Sequence, residues 1–262
     1  MYEQYTMPDP SYLAKAVAIA GTDSYWGPKN ADWQIHYLTD NYLNNANGFT
    51  TVYAHYYNCS SQAATIRQEI GAGVGYANYT AHGDVDGWYD PAFNNNHISS
   101  MNNANKYGLM IGNCCLSGKF DRNSFGEELL RANNKGAVGY IGASNVSLWP
   151  DDYTWAVGNR STACLTTYDA NNLGAYDKLW HTHNEAHTDW QVTNSGIIRA
   201  GNFAVESSSS DEKLYYWEIY HLFGDPSLKT YLGIPSEIQA NVPSAMPIGI
   251  ASLDITTVPY AY

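Results

Sequence analysis

"YGLMIGNCC", residues 107–115, decides how this chain is read. It is a short apolar run, and a run of that length suits a strand buried on both faces of a sheet. It ends in two adjacent cysteines, Cys114 and Cys115, in a chain whose other two are Cys59 and Cys164. Adjacent cysteines do not readily pair with each other, and no CxxC spacing offers a metal site. The bland reading is four buried thiols. The sharper reading makes one member of the pair a nucleophile.

Four further runs of the same kind flank it: "KAVAIAG" (15–21), "FTTVYAHY" (49–56), "VGYANYTAHG" (74–83) and "AVGYIGAS" (137–144). Helical patterns lie between them. Residues 32–45 place Ile35, Leu38 and Tyr42 at helical spacing. Residues 60–73 start at serine caps, carry Ile66 and Ile70 on one face and stop at glycine. Residues 97–106 and 124–136 read as two shorter helices. Strands alternating with helices predict a three-layer α/β/α fold around a mainly parallel sheet. Chemistry in such sheets gathers beyond the C-terminal ends of the strands, and His82 and Cys115 both fall at such ends. Residues 150–200 show little periodicity, and 212–228 reads as a closing helix and turn. From residue 235 the chain turns rich in Pro, Ala, Ser and β-branched residues, so a boundary is placed near 233. The expected organisation is 1–232 as one α/β unit and 233–262 as a β-type appendage.

Composition narrows the function classes. Charged residues are only 15% of the 262, and the net charge of −12 repels a phosphate backbone, so nucleic acid is not an expected partner. Peptides with basic side chains are attracted instead. No apolar run of about 18 residues predicts a membrane span. Met1 leads into "YEQYTMPDPSYL" without a basic start or an apolar core, so no signal peptide is read there.

A cysteine peptidase needs a thiolate, an imidazole and an oxyanion site. Cys115 fits the first and His82 the second, with the N–H groups of Gly83 and Cys115 as oxyanion donors. The alternative is two core cysteines and a histidine satisfied by a loop carbonyl. Asp151 and Asp152, after the fifth strand and behind Pro150, are either a solvated turn or the carboxylate floor of a pocket for Lys or Arg. His181, His183 and His187 with Glu185 are a weak metal candidate, since HExxH is absent.

"ANYTAHG" (77–83), "IGNCC" (111–115), "FGE" (125–127), "GAVGYIGASN" (136–145), "DDYTWAVG" (151–158), "LGAYDK" (173–178) and "YYWEIYHLFGD" (215–225) together resemble the gingipains, cysteine peptidases of family C25 in clan CD. The lysine-specific type is the nearer match. The resemblance runs from about residue 15 to 232 and implies a caspase-like fold. It also implies Cys115 as nucleophile, His82 as its base and Asp23 as the acid behind the histidine. Asp152, Thr80 and Trp149 are implied to line the S1 pocket. A tyrosine of the family's pocket loop is Leu148 here. The resemblance further implies cleavage after basic residues with lysine preferred, no required cofactor, structural calcium or sodium, and an extracellular or bacterial cell-surface location. Association with an upstream subdomain or a further chain is expected, and 236–262 read as the opening strands of an immunoglobulin-like domain. A non-catalytic adhesin or assembly domain and a clan relative cleaving after Arg or Asn are the competing readings.

Overall fold

The computed structural model describes residues 9–235 and, beyond them, residues 240, 241, 249, 252, 256 and 257. A 3-10 turn (Pro10–Ala14) leads into β1 (Lys15–Ala20), whose alternate residues point to opposite faces. Ala16, Ala18 and Ala20 join one apolar cluster, and Val17 and Ile19 join the other. A loop and a π turn (Gly27–Ala31) lead into α1 (Asp32–Asn41), which buries Ile35 and Leu38 as their spacing predicts. Then come β2 (Thr51–His55), α2 (Ala63–Gly71) and β3 (Tyr76–Thr80). A small antiparallel ribbon, β4 (Gly83–Asp84), β5 (Gly87–Trp88) and β6 (Phe93–Asn94), precedes α3 (Asn95–Ile98). The expected helix over 97–106 is instead a single turn placed earlier, entered where the Asn94 N–H donates to His97 Nδ1 at 3.1 Å.

The second half adds β7 (Leu109–Asn113), α4 (Phe125–Arg131), β8 (Gly139–Ala143), α5 (Trp149–Val157), α6 (Ala175–Trp180), α7 (Asn194–Glu206), α8 (Lys213–Ile219) and β9 (Tyr220–Gly224). The sheet order is β2-β1-β3-β7-β8-β9, parallel except for β9, which runs antiparallel to β8. Helices cover both faces, so the three-layer α/β/α fold with a mainly parallel sheet stands. Two expectations are corrected. Residues 212–228 hold a helix followed by an edge strand. The aperiodic stretch 150–200 holds α5, α6 and the start of α7 among irregular chain; α5 is buried on nearly every side and shows little stripe, whereas α7 carries an apolar face of Ile197, Ala200, Gly201, Ala204 and Val205. In α7, Gly201 lies flat against Trp155, where a Cβ would come within 2.1 Å of the indole. Of the C-terminal stretch, Ala240–Asn241 pair antiparallel with Thr256–Thr257; the rest of the expected immunoglobulin-like opening lies outside the described residues.

One ion pair is sealed in the helical layer. Arg160 donates to Asp177 at 2.6 Å, and the Asp177 carboxylate also accepts from Tyr37, Tyr42 and the Gly174 N–H. The Asp177 side chain is fully buried. Removing the guanidinium leaves a buried charge without its counter-ion. Arg160→Met is expected to cost about 3–5 kcal/mol, read as a lower urea midpoint at unchanged slope.

Candidate active site

The strand order places the crevice. In a sheet ordered 2-1-3, the connections after β1 and β3 leave in opposite directions, and a cleft opens between them at their C-terminal ends. The loop after β1 carries Asp23, the loop after β3 carries His82, and the loop after β7 carries Cys115. Register does the alignment. Thr80 pairs with Asn113 at the ends of β3 and β7, so His82 and Cys115 each lie two residues beyond that shared rung.

His82 Nε2 meets Asp23 Oδ2 at 2.7 Å. That bond holds the ring and leaves Nδ1 to exchange a proton. Asp23 is itself fixed, because its other oxygen accepts the N–H groups of Tyr25 (2.8 Å) and Trp26 (2.7 Å). Burial pushes its carboxyl up, but the Trp26 N–H, the His82 ring and the Tyr25 N–H outweigh burial and hold it below its usual value. Asp23 therefore stays ionised against the imidazole. Trp149 packs edge-on to His82, with centroids 5.4 Å apart, and stacks on Trp26 at 6.4 Å. Asn30, buried in the π turn, donates to the Trp149 carbonyl at 3.1 Å.

Cys115 is partly exposed, whereas Cys114 is fully buried with its thiol on Ser117. The Cys115 thiol faces the Ser147 carbonyl at 3.6 Å. Burial pushes this thiol up, and the charge of Asp152 adds to the push. Cys115 thus rests as a thiol and needs a base. Gly83 lies against the same peptide: a Cβ there would fall 2.8 Å from the Cys115 carbonyl and 2.6 Å from Cys114 Sγ. Tyr89 N–H donates to the His82 carbonyl, which makes that couple the hydrogen-bonded rung of the ribbon. The next rung, Gly83 with Trp88, is then the non-bonded kind, and the Gly83 N–H points away from β5. Among the described residues no backbone carbonyl accepts the Cys115 N–H.

Asp152 and Thr80 are both buried, at 5% and 1% exposure, so the solvated-turn reading of Asp151 and Asp152 gives way to the first turn of α5. Asp152 accepts from Ser147 Oγ (2.7 Å), Tyr216 OH (2.9 Å) and Tyr220 OH (2.5 Å). Burial pushes its pKa up to about 6 against those three donors, with Asp151 adding to the rise. Thr80 donates to Gln34 Oε1 at 3.1 Å, and Gln34 Nε2 donates to Asn113 Oδ1 and to Tyr176 OH, both at 2.9 Å. Asn113 in turn donates to Tyr220 OH at 3.1 Å. A continuous polar chain thus joins Thr80 to Asp152 beneath the cleft. Sequence reading did not single out Gln34, Asn30, Trp26, Asn113, Ser147, Tyr216 or Tyr220. The four-residue spacing of Tyr216 and Tyr220 was the available signal.

The histidine cluster is dispersed by stacking. His181 lies on Trp190 and His183 on Tyr168, while Glu185 accepts from Tyr168 and from the His183 N–H. Among the described residues no three His, Cys, Asp or Glu side chains are grouped to hold a metal, and no helix is long and apolar enough to cross a membrane.

A cysteine and an aspartate-held histidine at the ends of neighbouring parallel strands are the parts a thiol peptidase assembles. Residues 1–231 match the model of peptidase family C25, and the chain belongs to that family. Lys-gingipain HG66 of Porphyromonas gingivalis is 39% identical over 97% of this chain, and gingipain R1 of the same organism is 25% identical over 97%. The chain spans 15% and 24% of those two proteins. A solved structure described as a protease superposes with a TM-score of 0.83 at 35% identity, covering 98% of this chain and 57% of that one. The Arg-specific cysteine proteinase gingipain R superposes at 0.79 with 19% identity, over 95% of this chain and 55% of its own, a likeness of fold.

Exposure and burial separate the four thiols. Iodoacetamide under native conditions is expected to label Cys164 and Cys115. Cys59 and Cys114, each 1% exposed or less, are expected to react only after denaturant is added, as read by peptide mass mapping.

Proposed function

We propose that this chain is the catalytic part of a cysteine endopeptidase that cleaves after basic residues, with lysine preferred. The observation that carries the reading is the Asp23–His82 bond beside a cysteine on the next strand end. Cys115 gives its proton to His82, and the thiolate attacks the scissile carbonyl. The oxyanion is met by the N–H groups of Gly83 and Cys115, which have no competing backbone acceptor in the rungs described above. His82 then protonates the leaving amine, and water hydrolyses the thioester. Asp23 orients the ring and stabilises its charged form. Asp152 receives the P1 ammonium, Thr80 accepts a second N–H, and Trp149 forms the wall. The high similarity to Lys-gingipain supports lysine at P1. In this reading the unit runs from residue 1 to 232, acts outside the cell or at a bacterial surface, and associates with an upstream subdomain or further chain. It needs no organic cofactor, and calcium or sodium has a structural part only.

Fluorogenic peptides with Lys, Arg or Asn at P1, under reducing conditions, test it. Release from Lys peptides that vanishes in Cys115→Ala is the expected result. Equal turnover by that variant would sink the assignment.

The raised Asp152 pKa fixes a pH dependence. Below about pH 6 the carboxyl keeps its proton and offers no charge to an ammonium. The ratio of kcat/KM for Lys over norleucine at P1, in which the titrations of Cys115 and His82 cancel, is expected to fall up to about tenfold per pH unit below that value. Asp152→Asn is expected to flatten the ratio.

A further inference from the structure

Asp152 is unusual in how its lone pairs are used. A carboxylate has about four acceptor sites, two on each oxygen. Two hydroxyls from α8 and β9, those of Tyr216 and Tyr220, converge on Oδ1, and Ser147 takes one site on Oδ2. Each of these protons has a reason to stay. Tyr220 OH already accepts from Asn113, so its own proton is free to point at the carboxylate. Tyr216 OH accepts the Leu148 N–H, and between the Leu148 carbonyl and a charged oxygen its proton goes to the charge. Oδ1 is therefore full, and one acceptor site is left, on Oδ2.

An ammonium and a guanidinium differ in what they ask of such a group. Arg binds a carboxylate best as a fork, with two parallel N–H bonds, one to each oxygen. Lys is a point charge with three donors that can go to separate acceptors. In the proposed S1 reading, Thr80 is the second acceptor, and it suits Lys. Its own proton is committed to Gln34 Oε1, because the Gln34 amide nitrogen is fixed by Asn113 and Tyr176. The Thr80 oxygen is left as an acceptor.

We propose that Tyr216 and Tyr220 are specificity-determining residues that select lysine over arginine at P1 by filling Oδ1 of Asp152 and so denying a guanidinium its second oxygen. This rests on the reading of Asp152 as the S1 carboxylate. The two tyrosines act through Asp152 and do not need to touch the substrate.

The test is the ratio of kcat/KM for matched Arg and Lys peptides in the full chain, with rates of inactivation by Lys and Arg peptidyl chloromethyl ketones as a second readout. Tyr216→Phe and Tyr220→Phe each return one site to Oδ1 and are expected to raise the Arg-to-Lys ratio about tenfold, the fold-change a charge-assisted hydrogen bond carries. Ser147→Ala frees a site on Oδ2 only, leaves Oδ1 full and is expected to hold the ratio within about twofold. General damage to the fold lowers both rates and leaves the ratio alone, and if one tyrosine variant fails to fold the other decides. An unmoved ratio in the folded tyrosine variants, with Asp152→Asn losing its preference for basic P1, overturns the role of the tyrosines alone. If Asp152→Asn keeps that preference, the S1 reading falls and this inference falls with it.

Discussion

Parallel rungs from Tyr76 with Leu109 to Thr80 with Asn113 hold β3 against β7, and that register governs the whole cleft. Side chains alternate along a strand, so a slip of one residue would send every group on β3 to the opposite face. Asn78 and Thr80 would then meet the apolar layer that now holds Ala77 and Tyr79, and Gln34 would lose its partner. The same slip would shift His82 along β7 by one residue and move it off the level of Cys115. The level of His82 against Cys115 and the burial of the core are thus fixed by one set of backbone bonds. The Asp23 loop adds itself through two short N–H bonds and the indole stack of Trp26 on Trp149.

Beneath the cleft, one face of the sheet exchanges apolar packing for hydrogen bonds. Asn78, Thr80 and Asn113 sit on the face whose other strand residues, Tyr76, Leu109, Ile111 and Ile141, join the larger apolar cluster. Each polar group there has a partner from α1, α6 or β9. Such a network costs little while complete, but a single missing partner leaves a desolvated group unpaired.

The parallel α/β class was legible because five apolar runs of strand length alternate with helical patterns, and the placing of His82 and Cys115 at strand ends followed from that alternation. The resemblance pointed to Asp23, Asp152, Thr80 and Trp149, and the structure puts Asp23 on His82 and Trp149 beside it. The helices α5 and α6 were not legible, since Trp155 and Tyr176 lie in short helices that are apolar on several sides; in α7 the stripe of Ile197, Ala200, Gly201, Ala204 and Val205 was present in the sequence. Strand β9 was hidden because Tyr220, His221, Leu222 and Phe223 continue a helix without a breaker, and the turn is made by tertiary pairing with β8. Gln34 carries no signal of its own within its helix. Only the fold shows that it faces three partners.

The chain places its parts in the order Asp23, His82, Cys115, Asp152, and only then the two tyrosines of α8 and β9. During synthesis the first four leave the ribosome long before Tyr216 and Tyr220. A nascent chain stopped near residue 210 would carry Cys115 and His82 without the edge strand of the sheet or the hydroxyls that bond Asp152. The edge strand that completes the sheet thus carries one of the hydroxyls that fix Asp152, Tyr220, with Tyr216 on the helix just before it.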